Sequence, residues 1–125
     1  MRYYHIWFQT KYKKYILINE IDAAADMLFR QIAETKGFQF LAYGSLLDHV
    51  HILVGLTDFQ SLPTAVKMFK GISSRRISQT FPALRQQAKI NSIWAKRYNY
   101  KEVAKENLPV VIKYINGQKK NLYIV

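Results

Sequence analysis

Apolar and polar residues alternate from Tyr3 to Tyr12, with Ile6, Phe8 and Thr10 on one side of an extended chain and His5, Trp7 and Gln9 on the other. A period of two is that of a half-buried strand. The period then lengthens. Ile21, Ala25, Leu28 and Ile32 fall at spacings of four, three and four, the stripe of an amphipathic helix that Asn19 can cap and Gly37 can end. Two short apolar runs, 38–44 and 49–56, flank Ser45–Asp48 and predict an antiparallel hairpin. From Ser61 to about Gln79, Leu62, Val66, Phe69 and Ile77 mark the buried face of a second helix, while Lys67, Lys70 and Ser74 line another side. The stretch from Ile93 to Lys101, rich in Trp and Tyr, predicts one more strand. Asn107 and Pro109 then mark the start of a last helix. This order is that of an α+β, ferredoxin-like or RRM-like sandwich, an antiparallel β-sheet backed by helices, with an additional C-terminal helix.

No repeat, low-complexity tract or linker interrupts the 125 residues, so residues 1–125 read as a single domain. Half the residues are hydrophobic, enough for a core. Nineteen Lys and Arg against eight Asp and Glu give a net charge of +11, which points to a polyanionic partner. The absence of cysteine excludes a disulfide framework, thiolate zinc and cysteine nucleophiles. No stretch approaches the roughly 18 apolar residues of a membrane helix, and the positive charge is spread along the chain instead of gathered on one helix. The expectation is a soluble cytoplasmic protein with no membrane partner.

Chemistry concentrates first in Asp48-His49-Val50-His51-Ile52-Leu53-Val54. A strand places His49 and His51 on one face, with Cα atoms roughly 7 Å apart, and turns Val50, Ile52 and Val54 to the other. Both imidazoles could then reach one metal ion. They could equally be ordinary half-buried strand residues hydrogen-bonded to their neighbours. Asp48 either orients an imidazole from behind or closes the hairpin turn. His5, on a different strand, either completes the site or stacks.

The last helix carries Leu108, Val111 and Ile115 as its buried stripe, so Tyr114 and Gln118 share a different face one turn apart. A phenol with an ordinary pKa of ~10 is a weak nucleophile, and attack on a phosphodiester needs a metal or positive charge to neutralise the phosphate. The Gln118 carbonyl oxygen is a hard ligand suited to Mg²⁺ or Mn²⁺. A helix-edge tyrosine and a solvated glutamine would look the same in isolation. Gly117 costs a helix interior roughly 1 kcal/mol, so the helix can fray or end there and take Gln118 off the tyrosine face.

Taken together these residues resemble the single-tyrosine HUH transposases of the smallest insertion sequences, the TnpA-like, IS200-like family. The resemblance covers essentially the whole chain. It rests on the first strand ending Thr10-Lys11-Tyr12-Lys13, the Asp48-His49-Val50-His51 strand, Lys70-Gly71-Ile72-Ser73-Ser74-Arg75-Arg76, a strand centred on Trp94, and Tyr114-x-x-x-Gln118, in the family's order. The stretch Arg97-Tyr98-Asn99-Tyr100-Lys101-Glu102 departs from the Gly-Tyr-Phe type of run expected after the tryptophan. What the resemblance implies is a DNA transposase that cleaves and rejoins single-stranded DNA at the hairpin ends of a mobile element. His49, His51 and Gln118 would hold Mg²⁺ or Mn²⁺, and Tyr114 would form a 5′-phosphotyrosine intermediate. It also implies a homodimer in which the tyrosine helix of one subunit can complete the histidine site of the other.

Charge and aromatic content agree with that substrate, because phosphates need cations and unpaired bases stack on Tyr and Phe. Lys67, Lys70, Arg75 and Arg76 are the candidate phosphate contacts, with Lys11, or else they form a solvated helix face. Replication initiators of the same superfamily tend to carry Lys three residues after the tyrosine, where this chain has Gly117, and relaxases use a third histidine. The alternative of another class is a non-catalytic single-stranded nucleic-acid-binding module on an RRM-like sheet. That alternative gives Tyr114 and the histidine pair no joint task.

Overall fold

The computed structural model describes residues 1–118. Four strands form one antiparallel sheet in the order β2-β3-β1-β4, from β1 (Arg2–Gln9), β2 (Gln39–Leu46), β3 (His49–Leu56) and β4 (Asn99–Val103). Helices α1 (Asn19–Lys36) and α2 (Leu62–Thr80) pack on one face of the sheet. The last helix, α4 (Leu108–Asn116), packs on the opposite face. This is the expected ferredoxin-like α+β architecture with one extra helix.

The alternating patterns dictate the layers. Ile6 and Phe8 of β1 and Val50, Ile52 and Val54 of β3 turn toward α1 and α2 and are fully buried with Phe29 and Phe69. Edge-to-face contacts join the rings, with centroids 6.0 Å apart for Phe8 and Phe29 and 5.8 Å for Phe29 and Phe69. Leu53 points the other way and meets Ala42, Val103 and Ile115 beneath α4. A strand covered on both faces has to be apolar nearly throughout, and in β3 only the outward His49 and His51 depart from that.

Several expectations need correction. The first strand stops at Gln9, because Tyr12 and Lys13 take positive φ and a short 3-10 turn, Lys11–Lys13, bends the chain away. Asn19 does not cap α1: it is the helix's first residue with φ +48°, the capping position is Ile18, and no side chain caps it. Gly37 ends α1 as expected, in the left-handed conformation at φ +77°. The hairpin connection is only Leu47–Asp48, since backbone pairing continues to Leu46↔His49. A short helix, α3 (Leu84–Ala88), appears where none was expected.

The strand expected over Ile93–Lys101 is displaced to Asn99–Val103. Trp94 keeps one bridge to Thr10, but its ring is buried 5.0 Å from Phe8 and its Nε1 donates to Ser73 Oγ at 2.8 Å. Core burial of the indole holds this segment out of the ladder. The following loop is held by Lys70, whose Nζ donates to the carbonyls of Ala95, Lys96 and Arg97.

Candidate active site

Register brings the chemistry to one place. In the β1–β3 pairing His51 lies opposite Trp7 and His49 opposite Gln9, so both histidines project onto the face that α4 partly covers. Their ring centroids are 5.1 Å apart. His49 Nδ1 lies 2.8 Å from Asp48 Oδ1, so Asp48 both ends the turn and holds an imidazole. His51 Nδ1 lies 2.8 Å from Nε2 of His5 on the neighbouring strand. His51 is almost wholly buried, at 7% exposure, and burial, with His5 and His49 adding to it, lowers its pKa to about 4. His5 is likewise lowered, by burial first and by Lys101 second. Both are therefore neutral at pH 7, the form in which an imidazole can ligate a metal.

These lowered groups set a pH dependence of stability. The unfolded chain binds protons near pH 6.5 that folded His51 and His5 refuse, so their contribution is present above that pH and lost as pH falls toward 4. Metal-free protein should lose on the order of 1–2 kcal/mol between pH 7 and pH 5, measured as denaturant midpoints. An unchanged midpoint would contradict this electrostatic picture.

Helix α4 brings the phenol to the same face. Its apolar side, Leu108, Val111, Ile112 and Ile115, seats on Ala42 and Leu53. The seat is close because β2 offers Gly44, where a Cβ would collide with the carbonyl oxygen of Ile115. Gly44→Ala should therefore lift α4 and destabilise the fold by about 1–3 kcal/mol, read from the thermal or denaturant midpoint. Unchanged stability would show that α4 is not seated as described. Tyr114 remains 53% exposed, its ring 5.8 Å from that of His51 and 6.0 Å from that of His5.

Gln118 takes a different course. The helix ends at Asn116 and Gly117 is its C-cap, as the cost of glycine predicts. Gln118 is 4% exposed, donates through Nε2 to the Tyr114 carbonyl at 3.4 Å, and lines a polar cavity with Asp22, Tyr43, Gly44 and Ser45. Neither His49 nor His51 lines that cavity. Tyr43 and Ser45 both donate to Asp22 there, and burial beside this carboxylate raises the Tyr43 pKa. Among the described residues no three His, Asp or Glu side chains form a metal cluster, so a metal on the histidine pair must find its other ligands elsewhere. The pair itself fits a divalent ion: Asp48 and His5 occupy the two Nδ1 atoms, and each ring has Nε2 remaining.

Comparison with known proteins shows the family of the chain. The family model described as transposase, IS200-like, matches residues 1–118. The chain belongs to that family. The ISDra2 transposase TnpA of Deinococcus radiodurans is 30% identical over 92% of this chain and 82% of its own length. A transposase for insertion sequence element IS200 of Salmonella typhimurium is 26% identical over 92% of this chain and 75% of its own length. A crystal structure of a candidate transposase from Deinococcus radiodurans R1 superposes with a TM-score of 0.78 at 30% identity, covering 94% of this chain and 92% of that one. A REP-associated tyrosine transposase bound to a REP hairpin shares the fold, with a TM-score of 0.66 at 12% identity over 95% of this chain and 68% of that one.

In this IS200-like transposase the basic residues do not join the histidine face. Helix α2 lies across the sheet from it. Arg75 and Arg76 are exposed and line a groove with Leu28, Ile32 and Ile72. Lys67 is exposed beside Trp94 and Tyr98. Lys70, expected on a phosphate, instead has its ammonium on three loop carbonyls, and burial lowers its pKa. Lys11 lies 5.2 Å over the Tyr12 ring in the 3-10 turn after β1. His5, which the residue pattern places on the face of Trp7 by period two without assigning it a task, sits against His51 in this site. No helix among the described residues is long and apolar enough to cross a membrane.

Proposed function

We propose that this transposase cuts and rejoins single-stranded DNA at hairpin-bearing ends of a mobile element, with Tyr114 as nucleophile. The observation that carries the reading is an exposed phenol within 5.8 Å, ring to ring, of a buried neutral imidazole whose strand neighbour is a second imidazole. The Tyr114 oxygen attacks the scissile phosphorus and loses its proton. The bond from phosphorus to O3′ breaks, and O3′ leaves as a 3′-hydroxyl once protonated. The 5′ side stays joined to Tyr114 as a phosphotyrosine diester. A 3′-hydroxyl from another end then attacks this link, restoring a phosphodiester and releasing the phenol. Bond number is conserved at each exchange, so no nucleotide cofactor is required.

His49 and His51 would hold Mg²⁺ or Mn²⁺. When bound, the ion supplies Lewis-acid neutralisation of the phosphate charge. Gln118 is the proposed third ligand. The break at Gly117 is where its side chain would turn from the Asp22 cavity toward the histidines. Lys67, Arg75, Arg76 and Lys11 would bind backbone phosphates away from the reacting centre, and the hairpin carried by the REP-associated relative supports a folded-back substrate. Lys70 contributes by fixing the loop that follows Trp94.

The proposed working form is a homodimer in which α4 can serve the partner's histidines as well as its own. Support comes from the small apolar seat of this nine-residue helix and from the exposure of Val110 and Tyr114. The test of the function is incubation of the protein with end-labelled hairpin oligonucleotides and Mn²⁺, with and without chelator. Metal-dependent cleavage of single strands is expected. Binding without cleavage, insensitive to chelator, would favour the non-catalytic module.

A further inference from the structure

We propose that His5 is a positioning residue: its Nε2 accepts the Nδ1 proton of His51 and holds that imidazole in the tautomer that leaves its Nε2 lone pair free to ligate a metal ion. This rests on the metal reading above.

A neutral imidazole carries one N–H, so the 2.8 Å contact between His5 Nε2 and His51 Nδ1 can be made in two ways. If His5 donates, His51 has its proton on Nε2 and no lone pair left for a metal. If His51 donates, its Nε2 is free. The neighbouring ring shows which alternative the fold serves. His49 Nδ1 faces Asp48 Oδ1 at the same 2.8 Å, and an ionised carboxylate can only accept, which leaves Nε2 of His49 without a proton in the neutral ring. Two different acceptors thus prepare the two rings alike.

His5 is built into this task. On the antiparallel pair it lies opposite Leu53, while His51 lies opposite Trp7, so the two histidines are diagonal neighbours on one sheet face. The Trp7 ring packs 4.9 Å from His5 and 6.2 Å from His51, in the latter case nearly parallel, which limits how either imidazole can turn. Among the described residues no other hydrogen bond to the His51 ring is found. A partner that orients a ligating histidine contributes roughly 10–100-fold to metal affinity.

The test has two arms. In the metal-free protein at pH 7.5, ¹⁵N chemical shifts should place the His51 proton on Nδ1. Finding it on Nε2 would overturn the proposal. Mn²⁺ titration followed by electron paramagnetic resonance should show His5→Phe weakened roughly 10–100-fold, and His5→Gln, whose amide oxygen can accept from His51, restored to near the wild-type affinity. Equal affinity in all three proteins would overturn the role of His5 while leaving the metal site standing. Wild-type protein that binds no Mn²⁺ would overturn the metal reading and this role with it. Should His5→Phe fail to fold by circular dichroism, the ¹⁵N shifts and the affinity of His5→Gln decide the matter.

Discussion

Tyr114→Phe is expected to abolish cleavage and the covalent adduct, a loss of roughly three or more orders of magnitude in rate, while the protein folds and binds hairpin DNA as before. The substitution removes one oxygen and keeps the ring. Because that ring is 53% exposed, stability should change by no more than about 0.5 kcal/mol. Cleavage rate and thermal midpoint measured on the same sample separate the two effects. A Tyr114→Phe protein that still cleaves would remove the phenol from the chemistry. If it also bound DNA less well, the Tyr114 hydroxyl would instead be a hydrogen-bonding contact to the DNA.

The second large effect is expected at the histidines. His49→Ala and His51→Ala should each reduce cleavage by more than the roughly 10–100-fold that loss of an outer partner costs, and chelator should do the same to the wild type. Binding to single strands should persist in both variants, since the cations proposed to hold DNA lie on α2 and beyond β1. Stability should respond unequally. His51 is buried and its removal leaves His5 without its partner, whereas His49 is only half-buried. His51→Ala is therefore expected to be the less stable of the two, by about 1–3 kcal/mol. Retained cleavage in both variants would contradict the metal reading. Mixing His49→Ala with Tyr114→Phe tests exchange of α4: recovered cleavage supports sharing between subunits, and none confines Tyr114 to its own histidines.

What the sequence makes visible is whatever depends on local period. Alternation through Ile6 and Phe8, and again from His49 to Val54, assigns the faces of β1 and β3, so the histidine pair is legible in the residue pattern alone. The stripe Leu108, Val111 and Ile115 likewise turns Tyr114 outward, and Gly117 marks the end of its helix. Contacts between distant segments are not legible in this way. The hydrogen bond between His5 and His51 depends on strand register across 46 residues. The grip of Lys70 on residues 95–97 depends on a loop shaped by the burial of Trp94. A lysine at helical spacing looks the same whether it meets a phosphate or a carbonyl, and only the fold distinguishes them. Asn19 fails as a cap for a related reason: capping needs an extended backbone at that position, and Asn19 lies at φ +48°.

The most direct measurement is isolation of the covalent intermediate. Wild-type protein incubated with Mn²⁺ and hairpin-bearing single-stranded DNA, then denatured, digested and analysed by mass spectrometry, should yield the peptide containing Tyr114 with a nucleotide 5′-phosphate on its phenol. The chain has nine tyrosines, so the modified peptide discriminates among them. An adduct on Tyr114 that disappears with chelator is the expected result. An adduct on another tyrosine, or no adduct under conditions where the DNA is cleaved, would contradict the assignment of Tyr114 as nucleophile.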